Sequence, residues 1–145
     1  MEVFTIGFTK RKAAEFFGTL KRAGIKRLVD VRLNNLSQLA GFSKRDDLEF
    51  FLAELCGAEY LHEPLLAPEQ AMLDAYKKLK GSWADYERRF LDLMADRSIE
   101  TRIGRELFAV PTVLLCSEPT AEHCHRRLVL EYLHGKWDDL QAVHL

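Results

Sequence analysis

The sequence predicts an α/β fold: one compact domain over residues 1–145, with a mostly parallel sheet of about five strands and helices on both faces. Two observations carry this expectation. Short apolar runs alternate with helical stripes in the order β-α-β-α-β-α-α-β-α-β, which favours parallel strands joined by helical crossovers. The second run, Ile25–Val31, is apolar at consecutive positions in its core, as a strand covered on both faces is. No internal repeat, linker or low-complexity tract divides the chain.

Each element follows from local pattern. Val3–Ile6 is a short apolar run stopped by Gly7, read as the first strand. Ala13, Phe16, Phe17 and Leu20 fall on one helical stripe, with Thr9 to cap its start and Gly24 to end it. Positions 34–42 are polar and aperiodic and read as a loop. Ser43 with Asp46 resembles a capping box ahead of Leu48, Phe51, Leu52 and Leu55, and Gly57 ends that helix. Glu59–His62 is a brief third strand stopped by Pro64. Positions 68–97 read as two helices divided at Gly81, the second capped by Ser82, with Trp83, Tyr86, Phe90, Leu93 and Met94 on its apolar face. A further short helix is expected over 98–108. Thr112–Leu115 is a fourth strand ending at Cys116, Cys124–His134 a helix, and Leu140–Leu145 a last strand.

Composition narrows the class. Hydrophobic residues make up 48% and charged residues 30% of the chain, a globular balance rather than a disordered one. Lys and Arg number 21 against 22 Asp and Glu, so net charge does not advertise nucleic acid, although a local basic patch is compatible with that total. Three cysteines are an odd, sparse set and no disulfide framework. The opening MEVFTIGFTK is no signal peptide, and no stretch approaches the ~18 apolar residues of a membrane helix. The expected setting is therefore cytoplasmic, with no membrane partner.

In an open parallel sheet, ligands sit beyond the carboxyl ends of the strands. The residues there are Gly7 and Thr9, Arg32 and Asn34, His62 and Glu63, then Cys116, Ser117 and Glu118. In LLCSEPTAEHCHRRLVLEYL, His125 falls near the centre of the stripe that buries Leu128, Val129, Tyr132 and Leu133, in the first turn of the helix. Cys124 and Arg126 flank that stripe. A helix start and an arginine would favour a thiolate or a bound anion. Seven residues separate Cys116 from Cys124, too few to carry the chain far, so the two sulfurs are expected near each other.

Each residue also has a structural reading. Cysteines commonly pack as small hydrophobes, and for Cys56, beside a helix-ending glycine, packing is the preferred reading. His125 could serve a loop carbonyl, Arg32 could pair with Glu118 or Glu63, and Asp30 is expected to be a structural acid held by loop amides. Trp83, Tyr86 and Phe90 are expected to face the core rather than form a base-stacking platform. No Rossmann or Walker pattern follows Gly7, so no cofactor is expected. Cys116, Cys124, His125 and His62 match no standard zinc spacing, so no metal is expected either.

TIGFT, LVDVR, GFSKRDDL, AEYLHEPLLAP, LLCSEPTAEHCHRRLVLEYL and the final VHL together resemble the domain of unknown function 488 family. KGSWADYERRF is similar to the middle region of one of its branches. The resemblance touches almost the whole chain. It implies a compact α/β domain of bacterial or archaeal cytoplasm and no particular reaction. The family's shared motif residues map onto Thr5, Gly7, Asp30, Arg32, Tyr60, His62, Cys116, Glu118, Cys124, His125 and Arg126. Many members carry His-Ser where this chain has Phe8-Thr9, so a histidine role there is absent and only the Thr9 hydroxyl is kept. LVDVR also resembles the Asp-x-Arg strand of rhodanese-like sulfurtransferases. The Cys116-to-Arg126 loop is longer than theirs, contains Pro119 and lacks their glycine, which leaves an analogy only.

Two functions from different classes follow. One is an enzyme acting on an anionic, phosphate- or sulfur-containing substrate. In it Cys116 or Cys124 is the nucleophile, His125 or His62 the base, Glu118 a general acid or base, and Arg32 with Arg126 the anion clamp, with Thr9 and Asn34 at the substrate. The other is a non-enzymatic module in which the same arginines hold a small anion, a nucleotide or a nucleic-acid phosphate. An exposed thiol of low pKa favours the first, and two buried, inert cysteines favour the second.

Overall fold

A computed structural model describes residues 1–35, 41–118 and 120–145. Five strands form one parallel sheet: β1 Glu2–Gly7, β2 Arg27–Asp30, β3 Glu59–His62, β4 Thr112–Cys116 and β5 Gln141–His144, in the order β3-β2-β4-β1-β5. The central strand β4 is buried along its whole length, which its unbroken apolar sequence permits. Register brings Gly7 beside Cys116, and Asp30 beside both His62 and Leu115.

Alternation along the strands sorts the core into two layers. Leu28, Val113, Leu115 and Ile6 pack on one face against α1 (Ala13–Arg22) and α2 (Arg45–Phe51), through Phe16, Phe17, Leu20, Leu48 and Leu52. Val3, Val29, Leu114 and Cys116 pack on the other against α4 (Trp83–Arg97) and α6 (His125–His134), through Phe90, Met94, Leu128, Val129 and Leu133. Helices α3 (Gln70–Lys77) and α5 (Ile99–Arg102) flank α4. Among the described residues, no helix is long and apolar enough to cross a membrane.

Local departures from the sequence reading have physical causes. Lys12, not Thr9, holds the N-cap of α1, because Lys10 turns through a left-handed φ of 65° and delays the helix. Lys44 takes the N-cap of α2, while the Gly41–Ser43 turn buries Ser43, so Ser43 does not occupy the capping position. Positions 36–40 of the expected loop lie outside the described residues, and its end at Gly41 and Phe42 is a 3-10 turn. The single helix expected over 98–108 is two short pieces, α5 and a 3-10 turn at Arg105–Phe108, separated by extended Ile103. Ser82 does cap α4, its Oγ accepting from the Asp85 amide at 3.1 Å.

This topology opens a crevice. β2 sends its chain outward to β3 through α2, on one face, whereas β4 sends its chain the opposite way to β5 through α6, on the other. The exits from adjacent strands β2 and β4 therefore diverge, and the space between them is where a parallel sheet binds ligands.

Candidate active site at the divergence of β2 and β4

A cavity of about 400 Å³ opens at this crevice. Arg32 and Asn34 line it from beyond β2, and Cys116, Ser117, Glu118, His123, Cys124 and His125 from beyond β4. Tyr76, Lys77, Trp83 and Tyr86 close it from α3 and α4.

On the α6 side, His125 is 7% exposed. Its Nε2 lies 2.7 Å from the Val31 carbonyl and its Nδ1 lies 3.6 Å from Cys116 Sγ. A carbonyl can only accept, so Nε2 carries a proton, and Nδ1 is left to exchange one with the thiol. Burial by itself would push the Cys116 thiol up. The neighbouring Cys124 thiol, the His125 charge and hydrogen bond, and a backbone hydrogen bond at Glu118 overcome that and hold it well below the ordinary thiol value. The partners shift in complement. Burial acts to lower His125, but the Cys116 charge and hydrogen bond raise it. Cys124 is raised by burial and by the neighbouring Cys116 charge. These directions draw negative charge toward Cys116 and positive charge toward His125, and away from ionisation of Cys124.

Arg126 is fully buried. Its Nη1 donates to the Glu118 carbonyl at 2.6 Å and to Cys124 Sγ at 3.6 Å, and its Nε donates to Thr5 Oγ1 at 3.3 Å. Thr5 in turn contacts His144 Nδ1 at 2.6 Å. The guanidinium thus ties α6 to β1, to β5 and to the loop after β4. Gly7 makes the close approach workable: a Cβ there would come within 1.6 Å of the Glu118 carbonyl oxygen and 2.8 Å of Arg126 Nη1.

On the β2 side, Asp30 and Arg32 form a bidentate pair at 2.7 and 2.8 Å, with Asp30 wholly buried and Arg32 3% exposed. Asp30 also accepts from the Arg32 amide at 3.1 Å and from the Tyr60 hydroxyl at 2.6 Å. Burial, and then this bond to Asp30, raises Tyr60 far above a free phenol. Arg32 stacks over Phe8 at 5.3 Å, and its Nη1 is buried with no partner among the described residues.

The candidate residues therefore divide. Arg32, Asn34, Cys116, Glu118, Cys124 and His125 reach the cavity, while Thr9, His62 and Arg126 are absent from its lining. Thr9 donates its amide to the Ser117 carbonyl, and His62 turns Nε2 to the Arg32 carbonyl at 2.9 Å. Arg32 pairs with Asp30 rather than with Glu118 or Glu63, and Asp30 is held mainly by side chains rather than loop amides. Glu118 pairs instead with Lys77 at 2.7 Å. Tyr86 and Phe90 are core residues, but Trp83 is half-buried and stacks on His123 at 4.9 Å on the cavity wall.

Sequence reasoning did not single out Lys77 or His123. Nothing local to Lys77 marks its reach to Glu118, 41 positions away. His123 was findable, since it directly precedes Cys124 in the loop between β4 and α6. Cys116 Sγ, Cys124 Sγ and a His125 ring nitrogen lie within 4.8 Å of one another, a cluster that could also hold a metal ion.

No curated protein and no solved structure matches the chain. Residues 12–133 match the family model described as Domain of unknown function DUF488. That match runs from just before α1 to the next-to-last residue of α6 and takes in both sides of the crevice, so the chain belongs to the DUF488 family.

Proposed function

We propose that the protein is an enzyme whose Cys116 thiolate attacks an anionic substrate carrying a transferable phosphoryl or sulfur group. The observation that carries this reading is the 3.6 Å contact of Cys116 Sγ with His125 Nδ1 on a ring anchored through Nε2, beside a cavity both residues line. In the first half-reaction Sγ bonds to the electrophilic phosphorus or sulfur. The bond from that centre to its leaving group breaks, and the leaving group takes the Nδ1 proton of His125. In the second, an acceptor attacks the same centre while giving its proton to Nδ1, and Sγ departs as the thiolate. Arg32 is the anion contact: Asp30 fixes its fork, and its Nη1, without a partner among the described residues, is a buried donor in want of an acceptor. Arg126 is a positioning residue that holds the loop and α6 together without reaching the cavity.

Iodoacetamide labelling read by mass spectrometry across pH tests this. A lowered folded pKa keeps Cys116 ionised as pH falls below the ordinary thiol range, whereas burial raises Cys56 and leaves it protonated there. Cys116 should label at least about tenfold faster than Cys56 at neutral pH, and His125→Ala should remove most of that advantage. Labelling of Cys116 no faster than Cys56 would sink the nucleophile and leave the anion-, nucleotide- or nucleic-acid-binding module.

A further inference from the structure

The nucleophile has a second thiol beside it that the transfer chemistry does not use. Cys124 lies at the N-cap of α6, lines the same cavity, and has its sulfur within 4.8 Å of Cys116 Sγ. It packs in the core, but unlike Cys56 it also meets a charged group: Arg126 Nη1 donates to its sulfur at 3.6 Å. A buried guanidinium aimed at a thiol stabilises the charged form of that sulfur.

We propose that Cys116 and Cys124 form a peroxidatic and resolving pair: a hydroperoxide oxidises Cys116, Cys124 closes a disulfide onto it, and an external dithiol resets the site. The proposal rests on Cys116 being the nucleophile, as in the reading above. In the first step Cys116 Sγ attacks the terminal oxygen of the hydroperoxide. The S–O bond forms as the O–O bond breaks, and the departing alkoxide or hydroxide takes the His125 Nδ1 proton and leaves as alcohol or water. Sulfur is oxidised by two electrons and the peroxide is reduced by two. In the second step the Cys124 thiol passes its proton to His125 and its sulfur attacks the sulfenic sulfur of Cys116. The S–O bond breaks, and the hydroxide leaves as water with that proton. The dithiol then takes up the oxidising equivalent by thiol–disulfide exchange.

The surroundings suit this sequence. In the resting pair the charge on Cys116 opposes ionisation of Cys124. A sulfenic acid is neutral, so oxidation of Cys116 removes that opposition and leaves Arg126 to favour the Cys124 thiolate when it is needed. The sulfurs must close from within 4.8 Å to the ~2.05 Å of a disulfide. The cavity admits a small peroxide although both residues are almost wholly buried.

The test treats the reduced full chain with stoichiometric hydrogen peroxide, blocks remaining thiols, and digests with a glutamate-specific protease that cuts at Glu122, between the two cysteines. The expected product is a Cys116–Cys124 linked peptide pair that dithiothreitol separates, with Cys56 still blocked as a thiol. In Cys124→Ser the link is lost and Cys116 instead accumulates as a sulfenic acid trapped by dimedone, while Cys116→Ser gives neither product. Wild-type protein that forms no such link, with Cys116 still alkylating fast, would overturn the resolving role of Cys124 and leave the nucleophile standing. Slow alkylation together with no link would remove both. A link formed equally fast when His125 is alanine would also count against the mechanism, since no proton donor would then be required.

Discussion

At the residue scale, the Asp30–Arg32 pair sets the tightest constraint on the β2 side. Four hydrogen bonds, two of them from one fully charged guanidinium, converge on a carboxylate with no exposure to water. Breaking such a pair costs more than the pair contributes, because one charge stays buried alone. Asp30→Asn should therefore destabilise the fold by about 3–5 kcal/mol in chemical denaturation. Tyr60→Phe, which keeps the charges paired, should cost only about 1 kcal/mol. Equal effects of the two would show that the hydroxyl and the guanidinium are interchangeable as partners. The sequence reading found Asp30 and Arg32, and named only Glu118 or Glu63 as structural partners for Arg32 beside its reading as an anion contact. Residues two apart at a strand end point to the same side, a rule that would have paired them correctly. No comparable rule links Glu118 to Lys77, since that contact depends on how α3 docks.

At the element scale, α4 carries one wall of the cavity on its first turn, through Trp83 and Tyr86. Ser82 starts that turn by satisfying the Asp85 amide. Ser82→Ala should lower stability by about 1 kcal/mol in thermal unfolding. An unchanged midpoint would mean that packing of Phe90 and Met94 alone fixes where the helix begins. Five strands and the main helices were legible because their periodicities are strong: β4 is apolar throughout and α4 holds its stripe over four turns. What was not legible is short or bent. The second half of the α2 region widens into a π-turn at Leu52–Cys56 before Gly57 ends it at φ 60°, and α5 lasts only four residues. Neither length nor hydropathy separates these from ordinary helix.

At the scale of the whole molecule, the cavity opens because the chain leaves β2 and β4 in opposite directions, and Gly7 lets the loop after β4 fold down against β1. Alternation of strands and helices anticipated the parallel sheet, and with it the strand ends at which the cavity opens. It did not anticipate strand order, which decides that β4 and not β3 faces the β2 crevice and leaves His62 outside the cavity lining. Gly7→Ala should cost about 3 kcal/mol in denaturant unfolding, since the added methyl meets backbone that cannot turn aside. A loss under about 0.5 kcal/mol would mean that the loop yields freely. Strand order has a further consequence, for how the chain reaches its fold. β4 inserts between β1 and β2, yet both precede it in the chain. On a growing polypeptide the first two strands therefore wait with a vacant slot between them, and β3 can join only the outer edge. Closure must come from distant contacts, a slow step exposed to aggregation. Cys116 arrives on the inserting strand itself and Cys124 on the helix just behind it, so the two thiols acquire their surroundings only when the sheet is sealed.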